Sequence, residues 1–169
     1  MKILAKASVK NTGDLKAVYD ELRAKNILAR DIDHFGRMNT VSRLTVCVFA
    51  LALHQAGIKF TPEEKQNIGF VATDAQGSLQ ANELFFKDYL QGGRHLARAN
   101  LFIYTLPTSP LAESAIVFNL YGPVIYFPNR KMKDLIKHAQ LMVQSTLTKK
   151  VLVIRVNNKS AQATLIGEK

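Results

Sequence analysis

Residues Leu106–Lys131 read LPTSPLAESAIVFNLYGPVIYFPNRK, and four structural instructions follow one another along them. Ser109 is placed to cap a helix, Pro110 suits its first position, and Glu113 stands near the positive end of the helix dipole. Gly122 is read as the helix stop, and Pro123 prevents continuation. Val124–Phe127 then reads as a short strand that delivers the chain to a basic turn.

Downstream of that turn the pattern is strongly helical. Met132, Leu135, Ile136, Ala139, Met142, Val143 and Leu147 mark one apolar face, with Lys133, Lys137, Gln140 and Gln144 opposite. The run Val151–Val156 (VLVIRV) reads as a buried strand, Asn157–Ser160 as a turn, and Ala161–Ile166 as a final antiparallel edge strand. Upstream, Ile3–Val9 alternates as a strand with one covered face, and Asp14 caps a short helix ending near Asn26. Asn39 caps a helix that runs to Gly57 and is apolar on every side (LTVCVFALAL), the mark of a buried helix. Thr61–Glu64 is a turn, Ile68–Ala72 a strand covered on both faces, and Ser78 the cap of a weaker helix stopped by Gly92–Gly93. Strands alternating with helices make a single α/β domain over residues 1–169, with a mostly parallel, mixed sheet of about five strands and helices on both faces.

Composition narrows the function. At 169 residues and 47% hydrophobic content the chain can bury one sizeable core. No apolar run approaches the roughly 18 residues of a membrane span, and Lys2, Lys6 and Lys10 interrupt the start where a signal peptide would be apolar, so a cytoplasmic protein with no membrane insertion is expected. One cysteine, Cys47, excludes an internal disulfide or a cysteine zinc cluster. His34, His54, His95 and His138 lack partners at ligand spacing, so neither metal nor cofactor is expected. A net charge of +10, from 23 Lys+Arg against 13 Asp+Glu, favours an acidic partner: nucleic acid, an anionic membrane surface or an acidic protein.

Several segments resemble the N-terminal half of a β-ketoacyl synthase of the thiolase superfamily. They are DHFGRMN (Asp33–Asn39) leading into an alanine-rich helix that ends HQAG (His54–Gly57), the strand IGFVAT (Ile68–Thr73), and LPTSPLAESAIVFNLYGP with the strand and helix beyond it. The resemblance implies the N-terminal half of the thiolase fold. It also implies a catalytic cysteine at the N-terminus of the helix after the Gly-Pro strand, where free backbone N–H groups and the helix dipole stabilise a thiolate. Counting forward from Gly122 puts that position at Lys131, and counting back from Val151–Val156 puts it at Arg130. Neither is a nucleophile. The two histidines of the family's reaction belong to a C-terminal half beyond these residues, so the resemblance points to a ketosynthase homologue that does not condense acyl groups.

What stands in the turn is basic. Arg130, Lys131, Lys133 and Lys137 gather where cations oppose the helix dipole, so their charge is expected to serve something outside the helix. Family ketosynthases receive substrates on the acidic acyl carrier protein, which gives this face a partner by resemblance; an ordinary solvated face is the alternative. Arg94, His95 and Arg98 form a second cluster of the same kind. By the same resemblance the chain is expected as an accessory subunit of fatty-acid or polyketide-type biosynthesis, in a homodimer or in a heterodimer with a ketosynthase. Two other readings stand beside it. One is a nucleic-acid or anionic-surface binder, weakened by the scarcity of aromatics in the basic clusters. The other is an acyl-thioester enzyme using Cys47, weakened by that residue's place inside an apolar helix.

Overall fold

A computed structural model describes residues 1–28, 31–59, 61, 63–93 and 98–168. The strands are β1 (Lys2–Lys10), β2 (Gln66–Thr73), β3 (Leu120–Tyr121), β4 (Val124–Tyr126), β5 (Lys150–Val156) and β6 (Ser160–Gly167). The helices are α1 (Leu15–Ala24), α2 (Thr40–Gln55), α3 (Leu79–Gly92), α4 (Ala99–Phe102), α5 (Ser109–Val117) and α6 (Met132–Gln144). Short 3₁₀ turns lie at Phe35–Arg37 and Ile103–Thr105.

The strands form a mixed sheet in the order β1-β6-β5-β2-β3, with β4 also paired to β2. β5, β3 and β4 run parallel to β2, whereas β6 opposes both its neighbours, β5 and β1. Six strands therefore fill the five lanes expected, because β3 and β4 share the last lane. β6 is an interior strand rather than the expected edge, and β1 takes the edge beside it.

Each side of the sheet carries its own core. On one side α1, α2 and α5 bury Phe49, Phe70, Phe118, Leu152, Ile154 and Leu165. α2 is buried on nearly every face, as its apolar run requires, and Asn39 caps it by accepting from the Ser42 N–H at 2.8 Å. On the other side α6 seals Val71, Val151, Val153 and Ile166 under Leu135, Ala139, Met142 and Val143. Leu147 does not join them: α6 stops at Gln144 and Leu147 is 58% exposed.

Three sequence signals act differently from their reading. α5 ends at Val117, and Asn119 (φ +52°) supplies the left-handed turn assigned to Gly122. Gly122 is required for space instead, since a Cβ there would lie 2.5 Å from the Ile68 carbonyl oxygen and 2.8 Å from the Gly69 nitrogen. At the helix start the cap position falls on Thr108, with no side-chain cap bond, while the Ser109 hydroxyl donates to the Ile103 carbonyl. Ser78 likewise makes no cap; its hydroxyl donates to the Thr105 carbonyl and ties α3 to the segment before α5.

Gly122→Ala should destabilise the chain by about 3 kcal/mol, because backbone on both sides must give way. Gly36→Ala, at a site where a Cβ meets nothing within 4 Å, should change the urea midpoint little.

Candidate functional site

The carboxyl ends of β2, β4 and β5 are where an open α/β sheet places ligands, and the basic turn starts there. Phe127 N–H donates to the Ala72 carbonyl at 2.9 Å, and Asn129 N–H donates to the Asp74 carbonyl at 2.8 Å, so the turn extends the β2 edge. Asn129 adopts φ +49°, which reverses the chain into α6. The Thr73 hydroxyl locks the arrangement: it donates to the Phe127 carbonyl at 2.6 Å and accepts the Arg130 N–H at 3.0 Å. Thr73, 1% exposed at the end of β2, was invisible to motif reading because nothing in sequence links it to a turn 57 residues away.

Lys131 is the N-cap of α6, with extended backbone (φ −75°, ψ 144°) and no side-chain cap bond. Arg130, Lys131, Lys133 and Lys137 are all exposed. Lys133 and Lys137, four residues apart, stand one above the other. Among the described residues none of the four forms a salt bridge. Asp134 in the first turn is the one acidic residue that favours the dipole there. The second cluster does not behave alike. Arg94 and His95 lie outside the described residues, and Arg98 is engaged by Asp88, whose oxygens accept its backbone N–H at 2.9 Å and its Nε at 2.7 Å. That backbone hydrogen bond foremost, with the guanidinium behind it, holds the Asp88 carboxyl below its ordinary pKa.

A cavity of about 390 Å³ opens at the same strand ends, on the α2 side of the sheet. Leu84, Leu101 and Leu106 supply its apolar wall, and Asp74, Gln80 and Tyr126 its polar one. The Tyr126 hydroxyl is buried without a well-formed hydrogen bond, and a Cβ on Gly77 would sit 3.4 Å from it. Burial, then the charge of Asp74, push this phenol above its ordinary pKa, against the pull of the Asp74 backbone N–H. Tyr104 donates to Glu113 Oε1 at 2.9 Å, and burial foremost, with Glu113 behind it, pushes its phenol up to about 12. The cavity can take a small, largely apolar group, with the Tyr126 hydroxyl on its wall.

Cys47 is fully buried in the middle of α2, where desolvation pushes its thiol up to about 12. At neutral pH that leaves no useful thiolate, and the surrounding core leaves no approach for a thioester. The histidines stay apart: His34 and His54 are exposed, while His138 stacks on Phe127 with centroids 4.4 Å apart. Among the described residues no group of three potential metal ligands occurs, and no helix is long and apolar enough to cross a membrane.

No known family pattern and no curated protein matches the chain. Solved structures do. A chain of a type II polyketide-synthase acyl-carrier protein in complex with its ketosynthase, bound to the hexaketide, superposes with a TM-score of 0.70 at 10% identity, over 98% of this chain and 62% of that one. A β-ketoacyl synthase from Burkholderia phymatum gives 0.65 at 13% identity, over 98% of this chain and 58% of that one. A chain of a ketosynthase–chain length factor complex from Xenorhabdus doucetiae gives 0.62 at 16% identity, over 99% and 79%. The chain has the ketosynthase-like N-terminal thiolase fold, and it spans about three fifths of the first two of these proteins.

Thr73→Val should cost about 2 kcal/mol, because the Phe127 carbonyl and the Arg130 N–H lose a partner that a methyl group cannot replace. Hydrogen exchange at the Arg130 amide should accelerate with it. Cys47 should stay unreactive toward an aromatic disulfide in the folded protein at pH 8 and react once urea unfolds the chain; fast labelling of the native state would show that its burial is wrong.

Proposed function

We propose that this ketosynthase-like chain works as a non-catalytic partner subunit in fatty-acid or polyketide-type biosynthesis, docking an acyl carrier protein or a ketosynthase. One observation carries the reading: the fold extends over 98% of the chain, while Arg130 and Lys131 occupy the turn where the resemblance places the cysteine. The backbone of that turn is held by Thr73, Asp74 and Ala72, which supports a reading in which the scaffold is kept where the nucleophile is not. A free basic ridge at a helix N-terminus suits an acidic protein better than a thioester carbonyl.

Two exposed features favour pairing with another subunit, a second copy or a ketosynthase. The outer edge of β4 carries no strand among the described residues, and an unpaired edge is a template for another chain. α3 buries none of its side chains, and Phe86 (58%) and Leu90 (66%), one turn apart, are open to solvent together. Apolar side chains left open on one helix face are what an interface covers. Several of the neighbours are themselves assemblies, described as a ketosynthase with its chain length factor or with its acyl-carrier protein.

The rival reading, a binder of nucleic acid or an anionic surface, draws on the +10 charge. The two separate cleanly in solution. Reversal of charge at Lys131, Lys133 and Lys137 should weaken binding of an acyl carrier protein at least tenfold, about 1.4 kcal/mol, with the urea midpoint unchanged. Unchanged carrier binding would defeat the docking assignment, and salt-sensitive retention of DNA by a chain that ignores carrier protein would favour the rival. Light scattering at micromolar concentration should report a dimer or, with a ketosynthase present, a heterodimer; a stable monomer in both cases contradicts the pairing.

A further inference from the structure

The end of the sheet opposite the basic turn holds a recess of about 600 Å³, at the starts of β2 and β5. Its backbone frame is tied together from three directions. The buried Thr148 hydroxyl lies 3.0 Å from the Asn67 carbonyl oxygen and 2.9 Å from that of Lys150, which pins the start of β5 to β2. The Gln66 side-chain amide donates to the Lys59 carbonyl, and the Gln66 N–H donates to the Asn119 carbonyl at 3.1 Å. The segment after α2 and the approach to β3 are therefore both fastened to β2.

Onto that frame three separate segments bring cations: Lys59 after α2, Lys65 just before β2, and Lys149 with Lys150 where β5 begins. Lys59, Lys65 and Lys149 are exposed, and Lys150 is half-buried. Among the described residues none of the four forms a salt bridge, and Glu64 is the one carboxylate in the lining. Glu168 comes close through its backbone, whose N–H donates to the Lys149 carbonyl at 3.4 Å. Four like charges around one concavity repel one another, and its apolar wall, Ile58 and Ile68, focuses their field on whatever enters. An anion relieves that repulsion.

Tyr121 lines the recess across β2 from the lysines of β5. It pairs with Asn67 on one side of β2, while Lys150 pairs with Ile68 on the other, so two strand spacings, about 10 Å, lie between them. Tyr121 is 53% exposed, an aromatic face at one end of a recess that has ammonium groups at the other. The exposed Asn67 between them adds an amide with both donors and an acceptor. We propose that this recess binds a nucleoside polyphosphate, its base on the Tyr121 ring and its phosphates among Lys59, Lys65, Lys149 and Lys150. Lysines serve as point charges for phosphate, and a tyrosine ring stacks on any base. The volume falls in the range of small-ligand sites, too confined for a duplex. An acidic peptide would engage the lysines and leave Tyr121 without a flat partner. The proposal is independent of the ketosynthase reading, since none of these residues belongs to the Arg130–Lys137 ridge.

Calorimetric titration of the full chain with ATP tests it, beside tripolyphosphate, adenosine and a single-stranded oligonucleotide. ATP should bind saturably, and more tightly than tripolyphosphate or adenosine. Lys65→Glu/Lys149→Glu should weaken ATP binding at least tenfold, whereas the charge-matched Lys6→Glu/Lys10→Glu on β1 should weaken it less than threefold. Tyr121→Ala should weaken ATP at least fivefold through lost stacking and leave tripolyphosphate within twofold. In the wild-type protein ATP should shift the amides of Asn67, Tyr121 and Lys150, a reading that no variant's folding can confuse. No saturable ATP binding, equal losses in the two double variants, or amide shifts confined to other parts of the chain would overturn the proposal. So would tripolyphosphate that binds as tightly as ATP, the mark of a bare phosphate site. An oligonucleotide that binds more tightly than ATP and loses affinity in Lys65→Glu/Lys149→Glu would replace the nucleotide with nucleic acid and overturn it as well.

Discussion

The close approach of Gly122 to the backbone of β2 is the constraint on which the functional end of the molecule depends. β3 and β4 can share one lane only if the chain passes the Ile68 carbonyl without a side chain, and Pro123 then offers its carbonyl to the Phe70 N–H at 2.9 Å. From that point β4 is in register with Phe70–Ala72, and the Thr73 hydroxyl closes the turn onto α6. A displaced β4 would move the N-terminus of α6 together with every basic residue on it. Backbone contacts thus place the turn, and its side chains are left free to define what it meets.

That division leaves the side chains of the turn free to vary on a ketosynthase-like fold. The hydrogen bonds that hold Phe127, Asn129 and Arg130 use main-chain groups of the turn, so they make no demand on the identity of residues 130 and 131. On the proposed reading, a cation where the resemblance places a thiol changes the chemistry and leaves the geometry. Cys47 does not compensate, since the fully covered position that makes it a good core residue also removes its reactivity. What remains exposed around the start of α6 is a basic ridge, a surface suited to recognition.

Much of this was legible in the sequence, and the failures share a cause. Helices with strong local signals came through closely: Asp14 and Asn39 cap α1 and α2 as read, and the periodicity of α6 names its buried face. Gly122 was misread because a glycine that clears a neighbouring strand looks in sequence like one that ends a helix. The interior place of β6 depends on which strand lies alongside, which no single segment records. α3 was read as an ordinary weak helix although it buries nothing: Phe85 meets Phe102 of α4, while Phe86 and Leu90 are left to solvent. The basic ridge was found by its charge, whereas Thr73 and Tyr126, the polar groups that shape the turn and the cavity, carry no local signature.

The central claim is that the scaffold presents a docking surface where a ketosynthase presents a thiolate. Intact-protein mass spectrometry after incubation with an acyl thioester tests it most directly, with a cysteine-bearing ketosynthase alongside as the positive control. The account predicts an unmodified mass for this chain while the control gains one acyl group. A stoichiometric acyl adduct on the native chain, mapped to the turn at Phe127–Lys131 or to Cys47, would contradict it.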